Sequence, residues 1–469
     1  MRLVLAVLAS FVVCACGTKP APAPSTTKPT ESTADAARVA ATPPTPPAPK
    51  KSREELAQAA VARVPAITTE VARLRGLDAK PVPAAYQKTE DFKTFLRAQL
   101  ALELPPEKSG DISRALFAVG LLKEKIDLGA VVEAAMLSQA GAYYDPEQKK
   151  FFIVMVPEND MMLDTLSSHE LMHAVQDQHF DLLTYLGGKG NKAKLTTDQV
   201  TARRFVVEGE ASLMMFAYMG TKMGGGADPF AAPGRAALGM QVKMTAGLDA
   251  DAIGKMAKDQ GATLGALGPD FKDALAAIDT IPPVVLVPLY DAYFKGAQTT
   301  YQAFEAGGWD AVAKLYTSPP ASSEQVLHAP EKLVGKRDQP TPVKLPAPKA
   351  LAGYKKIHED DFGELLWRVY FTLWGSGAVA NAAAAGWDGD WFAVYAKGDE
   401  TVALVSTVWD SATEATEFEA ALTPTLATRG VTGGVRRAGD RVHLVTGCEP
   451  KLCETLLTQL QTISGPIVP

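Results

Sequence analysis

The sequence predicts an α+β protein in two folded parts: a mainly helical part over residues 51–340 that carries one β-hairpin, and a smaller α+β part over residues 350–469. Three observations carry this reading. Apolar residues recur at helical spacing through most of the first part. The period becomes strand-like between residues 140 and 154. A proline-rich stretch, residues 340–348, then separates this part from one in which helical and strand-like runs mix. At 469 residues the chain exceeds one ordinary domain. Its 47% hydrophobic and 21% charged content is that of a soluble globular protein, and a net charge of −6 gives no footprint for nucleic acid, which we exclude as a partner.

The first sixteen residues read as a secretion signal, with Arg2 as the positive start, an apolar run over residues 3–13 and small residues after it. The run is too short to span a bilayer. Val13-Cys14-Ala15-Cys16-Gly17 resembles the bacterial lipobox, which would put a lipid anchor on Cys16; Gly17, where an aspartate is absent, resembles the pattern sent on to the outer membrane. Residues 17–50, rich in Pro, Ala, Thr and Lys, read as a disordered tether. Export implies an oxidising compartment, in which Cys448 and Cys453 are expected to pair.

Folded sequence starts at Ser52-Arg53-Glu54-Glu55, a capped helix start. Helical patterns follow over residues 86–104 and 112–138, with a break near Gly129. Residues 140–154 read as strand, turn, strand, with Asp145-Pro146 in the turn. Asn159-Asp160 offers a cap for a helix to residue 186, where Gly187-Gly188 ends it. A second helix runs over residues 197–220, after Thr196. Gly209 inside it costs about 1 kcal/mol relative to alanine and points to close packing or a cleft. A low-complexity stretch reaches residue 268 and a helical piece reaches Thr280. An amphipathic segment then ends at Gly307-Gly308-Trp309. Beyond residue 350 we expect a helix over residues 364–378, strands over residues 391–395, 402–408 and 441–445, a helix after Asp410-Ser411 and another over residues 452–463.

The chemistry is concentrated in His169-Glu170-Leu171-Met172-His173, an H-E-x-x-H pattern in the helix that follows the hairpin. Four residues apart on a helix, His169 and His173 can offer imidazole nitrogens to one Zn²⁺, with Glu170 beside them as general base. A catalytic zinc takes three protein ligands and keeps one position for water, so a third ligand is required.

With Glu208-Gly209-Glu210-Ala211 on the next helix, the motif resembles the gluzincin metallopeptidases, whose third ligand is a glutamate on a second helix. It is similar to a group of bacterial exported proteins that share H-E-L-x-H-A-x-Q-D-Q, E-G-[DE]-A and P-P-x-S-x-E-Q-V-L-H, the last standing here as residues 319–328. The resemblance implies a metallopeptidase-like domain, Glu208 as the ligand in preference to Glu210, and a hairpin strand that pairs with extended substrate. Glu210 is then either an acceptor behind a ligand histidine or solvated. Ser212 stands where thermolysin-like chains carry a histidine-orienting aspartate, so that carboxylate must come from elsewhere, with Asp177 and Asp181 as candidates. His328 and Tyr144 are nominated as donors to the oxyanion, and Tyr290 and Tyr293 after them.

The activity this implies is peptide hydrolysis by a tethered zinc enzyme acting on a peptide or protein. The alternatives are a non-catalytic lipoprotein that keeps the domain for binding or envelope structure, and a zinc module closed by His328 as a fourth ligand.

Overall fold

The computed structural model describes residues 52–462 apart from 138–140, 157–158, 189, 192–193, 249–279 and 376. The signal segment, Cys16, the tether and the helical piece expected before Thr280 lie outside the described residues.

Helix α1 (Arg53–Arg75) starts where Ser52 and Glu55 form a capping box and ends at Gly76 in the left-handed region. Helices α2 (Thr89–Glu103), α3 (Pro106–Val119) and α4 (Leu128–Leu137) follow. The break expected at Gly129 falls instead at Gly120, whose φ of 89° closes α3 by taking a conformation that side chains disfavour. The hairpin consists of β2 (Ala142–Asp145) and β3 (Lys150–Ile153), and the Asp145 carboxylate ties its turn by accepting from the amides of Glu147 and Gln148. A three-residue strand, β1 (Ala84–Tyr86), adds parallel to β3, so that β2 lies at the edge of a sheet in the order β1-β3-β2.

Three long helices form the centre of this part. The expected helix to residue 186 is divided into α5 (Asp160–Phe180) and α6 (Leu182–Tyr185) by Asp181, which sits at a φ of 48°. Next come α7 (Thr197–Met223), opened by a capping box of Thr196 and Gln199, then α8 (Gly234–Ala246) and α9 (Pro283–Thr317), which breaks at Gly307 and Gly308. Gly209 of α7 lies against Gly296 of α9, and a Cβ at Gly209 would fall 2.1 Å from the Gly296 carbonyl carbon. Because the obstacle is backbone, no rotamer relieves it. Gly209→Ala is expected to destabilise the protein by about 3 kcal/mol, read as a lower urea midpoint; a midpoint unchanged within error would show that the two helices do not need this approach.

The C-terminal part is one antiparallel sheet in the order β4-β5-β6-β8-β7. Its strands are β4 (Lys355–Asp360), β5 (Trp387–Lys397), β6 (Glu400–Trp409), β7 (Gly433–Ala438) and β8 (Arg441–Thr446). Successive residues of β6 alternate between two cores, which is the period of a strand covered on both faces. Ala403 and Val405 pack with the helices Gly363–Trp374 and Ala412–Arg429, and Val402 and Leu404 with the helix Pro450–Gln461. Cys448 and Cys453 form a disulfide that joins the end of β8 to this last helix. The two parts are not separate bodies at residue 340. Ala115, Ala118 and Val119 of α3 belong to the sheet's own core, and Arg429 donates to the Ala118 carbonyl.

Residues 319–328 make the second junction. Ser323 donates its amide to Asp198 at the start of α7, while the Asp198 amide donates to Asp361. Lys332 bridges Glu324 at 2.5 Å and Asp410 at 2.6 Å, so this acidic cluster already holds a cation of its own. Burial, with Asp390 and Glu364 nearby, pushes Asp198 up from an ordinary 3.8 to about 7. A carboxyl whose folded pKa is raised contributes most below its unfolded value and loses that contribution as pH rises through the folded one. Stability is therefore expected to fall between about pH 4 and 7, and Asp198→Asn to flatten urea midpoints measured from pH 5 to 8. Parallel profiles for the two proteins would count against this assignment.

Candidate metal centre

Helix geometry stacks His169 and His173 on one face of α5, and α7 crosses close enough to set Glu208 against both. The two Nε2 atoms are 3.1 Å apart, and Glu208 Oε2 lies 3.2 Å from the first and 3.3 Å from the second. Ligands about 2.0–2.2 Å from a tetrahedral zinc are separated by roughly 3.3–3.6 Å, so these three atoms are within a few tenths of an ångström of that spacing. Two nitrogens and a carboxylate oxygen are also a donor set that zinc favours. The residues present fit the ion.

Their electrostatics agree. Burial lowers His169 to about 4, with the neighbouring His173 charge acting in the same direction. Burial opposes charge on His173 as well, but the Glu208 carboxylate overcomes it and raises the group to about 9. Glu208, despite burial, is held down at about 2 by His173 and His169. The triad thus pairs a protonated His173 with an ionised Glu208 and a neutral His169, and a bound cation would displace the His173 proton.

Glu170 lies alongside, with Oε1 3.8 Å from His169 Nε2. Its Oε2 accepts from the Tyr144 amide at 3.1 Å. This bond exists because β2 is the edge strand, which leaves an N–H row facing α5 instead of another strand.

Behind the triad the structure differs from expectation. Neither Asp177 nor Asp181 reaches a ligand histidine. Asp177 accepts from the Tyr144 hydroxyl and from Lys149, each at 2.7 Å, and so fastens the hairpin to α5; Asp181 caps Thr184. His173 is oriented by Gln176, whose Oε1 stands 2.8 Å from Nδ1. Gln176 Nε2 in turn donates to Glu210 at 2.9 Å. Glu210 is fully buried, not solvated, and also accepts from Arg75 and the Tyr316 hydroxyl. Gln176 was legible in principle, three residues after His173 on the same helix face. Arg75 and Tyr316 come from elements far away in sequence and left no local signal.

The two nominated oxyanion donors are engaged elsewhere. Tyr144 reaches the site through its backbone, since its hydroxyl is bound to Asp177. His328 lies at the junction, 3.0 Å from Glu364 and beside Arg368, and is neither an oxyanion donor nor a fourth ligand here. Tyr293 of α9 packs against the triad, its ring 5.4 Å from that of His169. Burial and the Glu208 and Glu170 charges raise its pKa well above the ordinary value, so it stays a neutral donor.

Residues 351–451 match a family described as a domain of unknown function (DUF8575). The match covers the C-terminal sheet and none of the triad. No curated protein and no solved structure matches the chain.

Proposed function

We propose that this chain is a zinc peptidase with a gluzincin-like catalytic part. The observation that carries the reading is the convergence of His169, His173 and Glu208 on one point with Glu170 beside it. A zinc ion held there would supply a Lewis acid and acidify a water molecule. Glu170, fixed by the Tyr144 amide, takes the proton of the attacking water and passes it to the leaving amine. The Tyr293 hydroxyl donates to the oxygen on which charge develops. β2 is the edge strand of its sheet, but its four residues are buried and the Tyr144 amide is held by Glu170, so an extended substrate pairs with it only once the site opens.

Export and anchoring through Cys16, with the outer membrane as the site, belong to the same proposal. The Cys448–Cys453 disulfide supports an oxidising compartment. No helix of the described residues is long and apolar enough to cross a membrane.

Burial favours a second reading. His169, Glu170 and Glu208 are each at most 3% exposed, as in a site that binds metal without turnover, so the peptidase must open to work. Incubation of the purified protein with a quenched fluorogenic peptide library separates the two. The peptidase is expected to cleave, to stop with a chelator and to recover with zinc; zinc-loaded protein that cleaves nothing would favour the closed site.

A further inference from the structure

Arg75 of α1 and Arg203 and Arg204 of α7 belong to helices that pack about the metal centre, and two of them are accounted for. Arg75 is paired with Glu210, and Arg203 donates to the Tyr185 carbonyl at 2.7 Å while lying over that ring. Arg204 differs. It is 7% exposed, yet its Nε and Nη2 have no hydrogen-bond partner, and among the described residues no carboxylate stands within ion-pairing distance of it.

A buried guanidinium cannot escape its charge by losing a proton, and leaving it unpaired is costly. Its position shows what could pair with it. Arg204 lies one helical turn before Glu208 on α7, on the same face. With a divalent ion bound, the carboxylates of Glu170 and Glu208 balance it, and the charge of Arg204 is left over.

We propose that Arg204 binds a carboxylate of the substrate next to the bond that is cut, either the free C-terminus of a peptide or an acidic side chain. Its forked donors suit the planar carboxylate in a way that a point charge would not. This rests on the peptidase reading, and it makes the enzyme selective for anionic peptides.

Glu170→Gln removes turnover and so permits binding to be measured alone. On the zinc-loaded full chain carrying that change, calorimetric titration with trialanine, trialanine amide and an amidated alanine peptide containing one glutamate compares the sources of the carboxylate. At least one carboxylate-bearing peptide is expected to bind about tenfold or more tightly than the neutral amide, the advantage of a charged hydrogen bond. Trialanine being favoured would identify the C-terminus, and the glutamate peptide a side chain. Arg204→Met should abolish the preference and Arg204→Lys should keep part of it, with circular dichroism melts and zinc content reporting that both variants fold. Equal affinities, no binding of any of the three, or a preference that survives Arg204→Met would overturn the proposal. Wild type that cleaves neutral amidated peptides as well as acidic ones would remove the role of Arg204 and leave the peptidase standing.

Discussion

Glu170→Gln is expected to leave zinc binding intact and to cut peptide hydrolysis by about a hundred- to ten-thousand-fold, the range that a positioned general base contributes. The substitution is well suited to the geometry. Glutamine keeps an oxygen to accept from the Tyr144 amide, so the side chain can stay in place, and what it loses is the ability to hold a proton. The three proposed ligands are untouched. Comparing kcat/KM for the best library peptide with zinc content in the same samples separates chemistry from assembly. Unchanged hydrolysis with normal zinc content would remove Glu170 as the base.

Glu210→Ala is the second change with a large expected effect, although Glu210 lies outside the triad. Arg75 and Glu210 form an ion pair in which both side chains are essentially without solvent contact. Removing one partner of such a pair typically costs about 3–5 kcal/mol, because the other charge is left buried. Gln176 would also lose one of its three acceptors, keeping the Val207 carbonyl and the Tyr316 hydroxyl, and with it part of the orientation of His173, so zinc affinity should fall by up to about tenfold. Urea unfolding of the metal-free protein reads the first effect, and competition with a fluorescent chelator reads the second. Pairing Glu210→Leu with Arg75→Met should recover much of the stability without recovering the zinc affinity. A Glu210→Ala protein as stable as the wild type would show that Arg75 finds another partner.

What was legible in the sequence followed from local rules. The caps at Ser52, Asn159 and Thr196 stand where the side chains predict them, because an N-cap is decided within four residues. The pairing of Glu208 with the histidines was expected from the resemblance to the gluzincin motif rather than from a local rule. The edge strands β4 and β7 were not legible. Lys355–Asp360 and Gly433–Ala438 are polar and half exposed, so they lack the apolar alternation by which a strand is recognised. The role of His328 was not legible either, since its partner Glu364 belongs to the other folded part. A histidine in a proline-flanked loop carries no sign of which distant carboxylate will meet it.

The central claim is that His169, His173 and Glu208 hold one zinc ion. The most direct measurement is zinc per chain by mass spectrometry, after dialysis against a weak chelator, for the wild type and for Glu208→Ala. The account predicts one zinc per chain in the wild type and close to none in the variant, with both proteins folded by circular dichroism. A folded wild type that retains no zinc, or a variant that retains as much as the wild type, would contradict it.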